Sequence, residues 1–397
     1  TFDYCSQTNN DQDSEHNNDS DNKTLETLLY LLDKFCAGDE FYHELSIISD
    51  NLPRSYLIKQ KRNELNKLCH VERVPGHYPG AQLSFTETLK EHVTDYLNSN
   101  TDHPPNKPIR VKISCDGAKR SKTTNFMLIS FSLLETGDMV MSSKGNRTIG
   151  IVNGPEKYET LQASFADILN DINNVIKNGK ITLDDEKEIS VELFLGGDYK
   201  FLLMAMGLSG ATSDYACLWC LVHRLFRWDT TKDLKYYNEG KFTRTLETLK
   251  SDLTSKCHSC IHKPLFDIEL DHIILDELHL MLRITDRLTE NILQEVMEKD
   301  AKDNFNNPKG KKLEGKNLKK LVQVINGLGV NFSIWEKKNA DGKGSGTYDW
   351  TSLMGSEKKK LIKLLPDKLN ELDILFPESK ETVLKLWRDF EELYKND

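Results

Sequence analysis

Two aspartates close apolar runs, and that placement gives them chemical interest. Asp116 follows Ile109–Cys115 (IRVKISC), within Ser114-Cys115-Asp116-Gly117. Asp198 follows Ile189–Leu195 (ISVELFL), within Leu195-Gly196-Gly197-Asp198. If the two runs are neighbouring strands, their terminal carboxylates lie side by side. Oxygen ligands suit hard Mg²⁺ or Mn²⁺. Two such ions about 3.5–4 Å apart activate an attacking water or 3′-OH and stabilise the leaving oxygen of a phosphate. Glycine beside each aspartate allows close approach of metal and phosphate backbone. Asp-Gly at a strand end is also ordinary turn chemistry, so the weight rests on both aspartates holding corresponding positions.

A second constellation is soft. Of eight cysteines, four form two C-x-x-C pairs, Cys217/Cys220 and Cys257/Cys260. The spacing reads as metal chemistry in a reducing compartment, not as a secreted disulfide framework. Together the pairs make a four-thiolate structural zinc site, with His223, His258 or His262 as alternates; free thiols are the competing reading. Asp276-Glu277-Leu278-His279 opens an amphipathic helix, with Asp276 an N-cap and His279 a core residue on the plainer view. Lys119, Arg120 and Lys122, close behind Asp116, are placed to touch DNA phosphates. The runs Lys309–Lys320 and Lys358–Lys360 could do the same, though a charge run is more often a solvated face. No phosphate-binding P-loop, dinucleotide fingerprint or hydrolase elbow occurs.

The elements that must position these residues follow from pattern. Residues 1–23 are Asn/Asp/Ser-rich and are expected to be disordered. Leu25, Leu28, Leu29, Leu32 and Phe35 fit one helix face, and another helix covers Phe85–Leu97. Strands are expected at Ile109–Cys115, Phe126–Leu134 and Thr148–Val152. A helix follows through Leu161, Phe165, Ile168, Ile172 and Val175, stopped by Gly179. A fourth strand, Ile189–Leu195, comes after that crossover and is a candidate for parallel pairing. Three strands, a helix and a strand make the front half of an RNase H-like fold, in which strands one and four are neighbours. Beyond residue 200 the pattern is mostly helical, with helices near 274–298, Lys358–Leu372 and Glu381–Tyr394, and loops at 302–317 and Ala340–Gly346. The expected fold class is α/β: a mixed sheet interrupted by a mostly helical, zinc-containing insertion, with a helical N-terminal region. The expected divisions are 1–23, 24–105, 106–215 for the core and 216–397 for the insertion.

In order and spacing, Val111–Gly117 (VKISCDG), the Gly197-Asp198 strand end and Cys217-Leu-Trp-Cys220 resemble the catalytic core of Transib-type transposases and of the catalytic subunit of the V(D)J recombinase. Val74-Pro-Gly-His-Tyr-Pro79 and the stretch from Lys263-Pro264-Leu265 to Asp276-Glu277-Leu278-His279 resemble elements of the same family. So do the last helices, which look like the insertion in its RNase H-like fold. The likeness covers roughly residues 70–397. It implies DDE chemistry, in which a metal-bound water nicks DNA and the freed 3′-OH attacks a second phosphate. Asp116 and Asp198 would be the first two carboxylates, Cys217 and Cys220 half of a zinc site, and His279 a residue near the active site. Cys257, Cys260 or His262 would complete the zinc site only as an alternative.

The family also implies two later His ligands and a third acid, a Glu. Here all eleven His lie at or before residue 279. The expectation is therefore a fragment without its third carboxylate, unable by itself to transfer strands. Double-stranded DNA such as transposon ends is the expected partner, with a homodimer when full-length and a nuclear location. The alternative is a non-catalytic, transposon-derived DNA- or protein-binding module. The net charge of −9 excludes a simple basic DNA-coating protein, although the first 22 residues account for −6 of it. No apolar run is long enough to span a membrane.

Overall fold

The computed structural model describes residues 15–68, 70–119, 121, 125–142, 145–305, 315–340, 342 and 344–395. They form a mixed α/β protein in two compact units. One holds the chain to Leu195 together with Lys200–Ile273; the other holds Gly196–Tyr199 and Ile274 onward.

The first unit opens with three helices: α1 (Glu15–Lys34), α2 (Asp39–Ile48) and α3 (Ser55–Leu68). Leu29, Leu32, Tyr42 and Ile58 bury a small core between them. Helix α1 starts inside the segment expected to be disordered, so residues 15–23 correct that expectation; residues 1–14 lie outside the described residues. The leucine stripe downstream, with Leu29 and Leu32 buried, anchors the helix.

Strands β1 (Glu72–Arg73) and β2 (Gly80–Gln82) precede α4 (Phe85–Ser99), whose N-cap Ser84 accepts from the Glu87 amide. Then come β3 (Ile109–Lys119), β4 (Asn125–Leu133), β5 (Asn146–Asn153), α5 (Tyr158–Ser164), α6 (Ala166–Asn178), β6 (Lys180–Thr182) and β7 (Glu188–Gly197). The sheet order is β1-β2-β5-β4-β3-β7-β6. Alternation buries Ile109, Val111, Ile113 and Cys115 of β3 on one face, level with Leu133, Phe131 and Ile129 of β4. Helix α4 covers that face: Phe85 meets Phe131 edge-on with ring centres 5.5 Å apart. Around Gly150 of β5 there is no room for a Cβ, because Ile129, Ile168 and Phe165 already crowd the site. The single helix expected over 161–175 is broken at Phe165 into α5 and α6, and Gly179 ends α6 with a left-handed φ of 64°.

Helices α7 (Tyr199–Ala205), α8 (Leu234–Asn238) and α9 (Leu246–Ser255) follow. The segment 200–273 belongs with the sheet in the first unit. Side chains explain why. Tyr158 Oη donates to Lys263 O (2.7 Å), Asn173 Nδ2 donates to Leu265 O (3.0 Å), and Asn173 Oδ1 accepts from the Asp267 amide (2.8 Å).

After β8 (Ile273–Leu275), the second unit contains α10 (Glu277–Phe305), α11 (Lys316–Gly327), β9 (Ile334–Lys338), β10 (Gly344–Trp350), α12 (Gly355–Glu371) and α13 (Pro377–Lys395). Its core joins Ile292, Val296, Leu321, Leu361, Leu365 and Trp387. The buried Asp300 carboxylate starts α11 by accepting from the amides of Asn317 (2.8 Å) and Leu318 (2.9 Å). Strands β9 and β10 form an antiparallel hairpin in a stretch where sequence pattern predicts only a loop at 340–346. Lys358 does not belong to a phosphate-binding face. It is buried, donates to Leu282 O (3.1 Å) and pairs with Asp286. Lys309, Lys311 and Lys312 lie outside the described residues.

Candidate functional site

Asp116 lies within β3, not after it. The antiparallel ladder runs from Val111 opposite Leu133 to Lys119 opposite Asn125, with Asp116 opposite Leu128. Apolar alternation ends at Cys115, but backbone pairing continues because β4 still offers its edge. Asp116 and Lys119 are exposed; Arg120 and Lys122 lie outside the described residues. The pleat places Asp116 on the face of Lys112 and Ser114 and directs Gly117 the other way. A Cβ at Gly117 would lie 3.0 Å from the Glu156 carboxylate, which pairs with Lys200 at 2.7 Å. Glu156, which no motif marks, is therefore on the side opposite Asp116.

Strand β3 is flanked in the sheet by β4 and β7, and β7 leads directly into Asp198. Asp198 belongs to the second unit, as do Asp276 and His279. There the Asp276 amide donates to Gly197 O (3.1 Å), next to Asp198. The Asp276 carboxylate accepts from the His279 amide (3.2 Å) and lies 3.0 Å from His279 Nδ1. Burial pushes the Asp276 carboxyl up, but the His279 hydrogen bonds and charge outweigh it and hold it below the usual carboxylate range. Asp276 thus caps α10 and orients the His279 ring.

The cysteines separate into two environments within the first unit. Cys217 and Cys220 are free thiols. A hydrogen bond between them pulls Cys217 down to about 6, while the same contact and burial push Cys220 up. Their neighbour is Arg244, a buried cation. Its Nη2 donates to Tyr215 O (3.0 Å) and His258 O (3.3 Å), and its Nη1 to Cys260 Sγ (3.7 Å). Cys260 thus belongs to the guanidinium, and Cys257 turns elsewhere. Cys257 Sγ lies 3.1 Å from Asp252 Oδ1 and 3.4 Å from His258 Nδ1. Asp252, Cys257 and His258 are the one group among the described residues with three potential metal-ligand atoms in mutual reach. The split follows from the backbone: Lys256, His258 and Ser259 have φ of 52°, 50° and 62°, each costing about 1–3 kcal/mol outside glycine.

The other histidines named as zinc alternates have different partners. His223 Nδ1 accepts from the Leu225 amide (3.2 Å), and its Nε2 faces Asp214 at 3.8 Å. His262 stacks on Tyr158, with ring centres 4.1 Å apart, and faces Glu159. Neither they nor Cys217, Cys220 and Cys260 join a three-ligand group among the described residues. Sequence reasoning missed Asp252 and Arg244. Asp252 stands five residues before Cys257, on the last turn of α9, and that spacing is the only signal it leaves. No protein-family model matches the chain, and no curated protein matches it.

Proposed function

We propose that the chain carries the RNase H-like core of a metal-dependent DNA transposase or recombinase, in which Asp116 and Asp198 are the carboxylates that hold Mg²⁺ or Mn²⁺. The observation that carries this reading is the sheet order: the strand bearing Asp116 is the neighbour of the strand that leads into Asp198. The donor chemistry fits hard cations, because both ligands are carboxylates. Asp116 is exposed, leaving it open to a phosphate. When bound, the ions supply Lewis acidity at the scissile phosphate. The chain's own share is to hold the ions with Asp116 and Asp198, to meet backbone phosphates with Lys119, and to orient His279 through Asp276. Cys217 and Cys220 supply two thiols of a structural zinc site. The partner on this reading is double-stranded DNA, bound by a homodimer in the nucleus.

A non-catalytic DNA- or protein-binding module is the second reading. It is favoured by the absence of Asp116 from any three-ligand cluster among the described residues, with Glu156 held by Lys200 on the opposite face. Supercoiled DNA carrying candidate element ends, incubated with Mg²⁺ or Mn²⁺, separates the two. On the first reading the chain nicks it, and Asp116→Asn and Asp198→Asn each lower the rate by about 10²-fold or more with an unchanged melting profile. A variant nicking at the parental rate would remove that aspartate from the metal site. Salt-dependent binding without cleavage supports the second reading.

A further inference from the structure

We infer that Asp252, Cys257 and His258 form a binding site for Zn²⁺ or a similarly soft divalent ion, separate from the Cys217/Cys220 pair and independent of whether the chain cuts DNA.

The first support is the geometry of the three donors. In a tetrahedral zinc site, bonds of about 2.3 Å to sulfur and about 2.0–2.1 Å to nitrogen and oxygen set the ligand atoms roughly 3.3–3.6 Å apart. Here Sγ to Oδ1 is 3.1 Å, Sγ to Nδ1 is 3.4 Å and Nδ1 to Oδ2 is 2.9 Å. The carboxylate thus turns one oxygen to the thiol and the other to the imidazole, and the thiol and imidazole lie within reach of each other. One ligand atom from each of the three residues lies within 4.8 Å of the others, close enough for a single ion to bridge them.

The second support is the set of polar partners around Asp252. The residue is 8% exposed, and its buried Oδ2 has no hydrogen-bond partner. His258 Nδ1 is within 2.9 Å of Oδ2, but not in line for a hydrogen bond. A buried carboxylate oxygen that faces an imidazole without an aligned donor is costly unless a cation completes it. Arg244 supplies no such donor to it; its hydrogen bonds go to Tyr215 O, His258 O and Cys260 Sγ.

The third support is the turn itself. Adjacent residues of an extended chain point to opposite sides. The left-handed residues Lys256 and His258 fold Cys257 and His258 back toward the last turn of α9, where Asp252 stands. Ser255 Oγ, 3.2 Å from Cys257 Sγ, can donate to the thiolate. Thiolate plus imidazole selects zinc-like ions over Mg²⁺ or Ca²⁺. Three protein ligands leave one position for water.

The test uses the whole chain, stripped of metal under reducing conditions and titrated with Co²⁺ and then Zn²⁺. A Cys217→Ser/Cys220→Ser variant isolates this site. It is expected to keep one tightly bound equivalent and a thiolate-to-Co²⁺ charge-transfer band. Adding Cys257→Ser should abolish the band, and adding Asp252→Asn should weaken binding at least tenfold. Should the double serine variant fail to fold, His258→Gln in the parent chain gives a second reading: one equivalent of Zn²⁺ lost with the circular dichroism spectrum unchanged. Zn²⁺ uptake that is unaltered by both Cys257→Ser and His258→Gln overturns the proposal. So does a parent chain that takes up no ion, which would make the three residues a hydrogen-bonded cluster only.

Discussion

Arg244 ties together three chain segments, and its removal should loosen them by a calculable amount. The guanidinium is buried and donates to Tyr215 O at 3.0 Å and to His258 O at 3.3 Å, with a longer contact to Cys260 Sγ at 3.7 Å. A hydrogen bond from a charged donor contributes about 1.5–3 kcal/mol, and a buried carbonyl left without a partner costs a comparable amount. Discounting the longer bond and ignoring the sulfur contact, Arg244→Ala should cost about 3 kcal/mol. Lysine reaches one carbonyl at best, so Arg244→Lys should recover about 1 kcal/mol of that. The loss is local, and native-state hydrogen exchange reads it residue by residue. The reporters are the amides of Ser209 (to Ser259 O, 2.9 Å), Cys260 (to Cys257 O, 3.0 Å) and residue 244 itself (to Trp219 O, 3.3 Å). A loss of about 3 kcal/mol corresponds to a fall in protection of about 10²-fold, while amides of α13 in the second unit should be unmoved. A fall of less than about threefold at all three amides in Arg244→Ala would make the guanidinium a bystander.

Two further outcomes follow from single positions. Gly207 has φ +74°, and a Cβ there would lie 2.0 Å from His262 O, in backbone held by two amide hydrogen bonds to Gly207 O (2.9 and 3.0 Å). Gly207→Ala should therefore cost more than about 3 kcal/mol in urea unfolding, and a cost under about 1 kcal/mol would contradict the packing described. Asp276 has a depressed pKa in the folded chain, so its contribution is present above the unfolded value of about 3.9 and is lost as pH falls through the folded value. The Asp276→Asn variant should accordingly be less stable than the parent by about 0.5–1 kcal/mol at neutral pH, a value kept low by partial exposure, with the gap closing in acid. A gap that widened below pH 4 would reverse the assigned sign.

Side-chain pattern alone makes several elements legible. Alternating apolar residues mark β3, β4, β5 and β7 to within a few positions, and the leucine spacings mark α4, α10, α12 and α13. These are local signals: one buried face imposes a period of 2 on a strand and 3.6 on a helix. The same logic misplaces the end of β3, because Asp116 to Lys119 stay paired without staying apolar. It also misses β9 and β10, whose side chains are mostly exposed and carry no period.

Asp116 and Asp198 are visible in the sequence as acids that follow apolar runs, and the two C-x-x-C pairs as metal-type spacing. Which strand neighbours which, and which cysteine turns to which partner, are not visible there. The order that puts β3 beside β7 depends on a crossover through α5 and α6. The separation of Cys257 from Cys260 depends on three left-handed residues, a buried arginine thirteen positions before Cys257 and an aspartate one helical turn away. Sequence spacing therefore determined which residue types were available for metal chemistry. Only tertiary structure decided how they group, because ligand sets are built from backbone turns and buried charges contributed by segments distant along the chain.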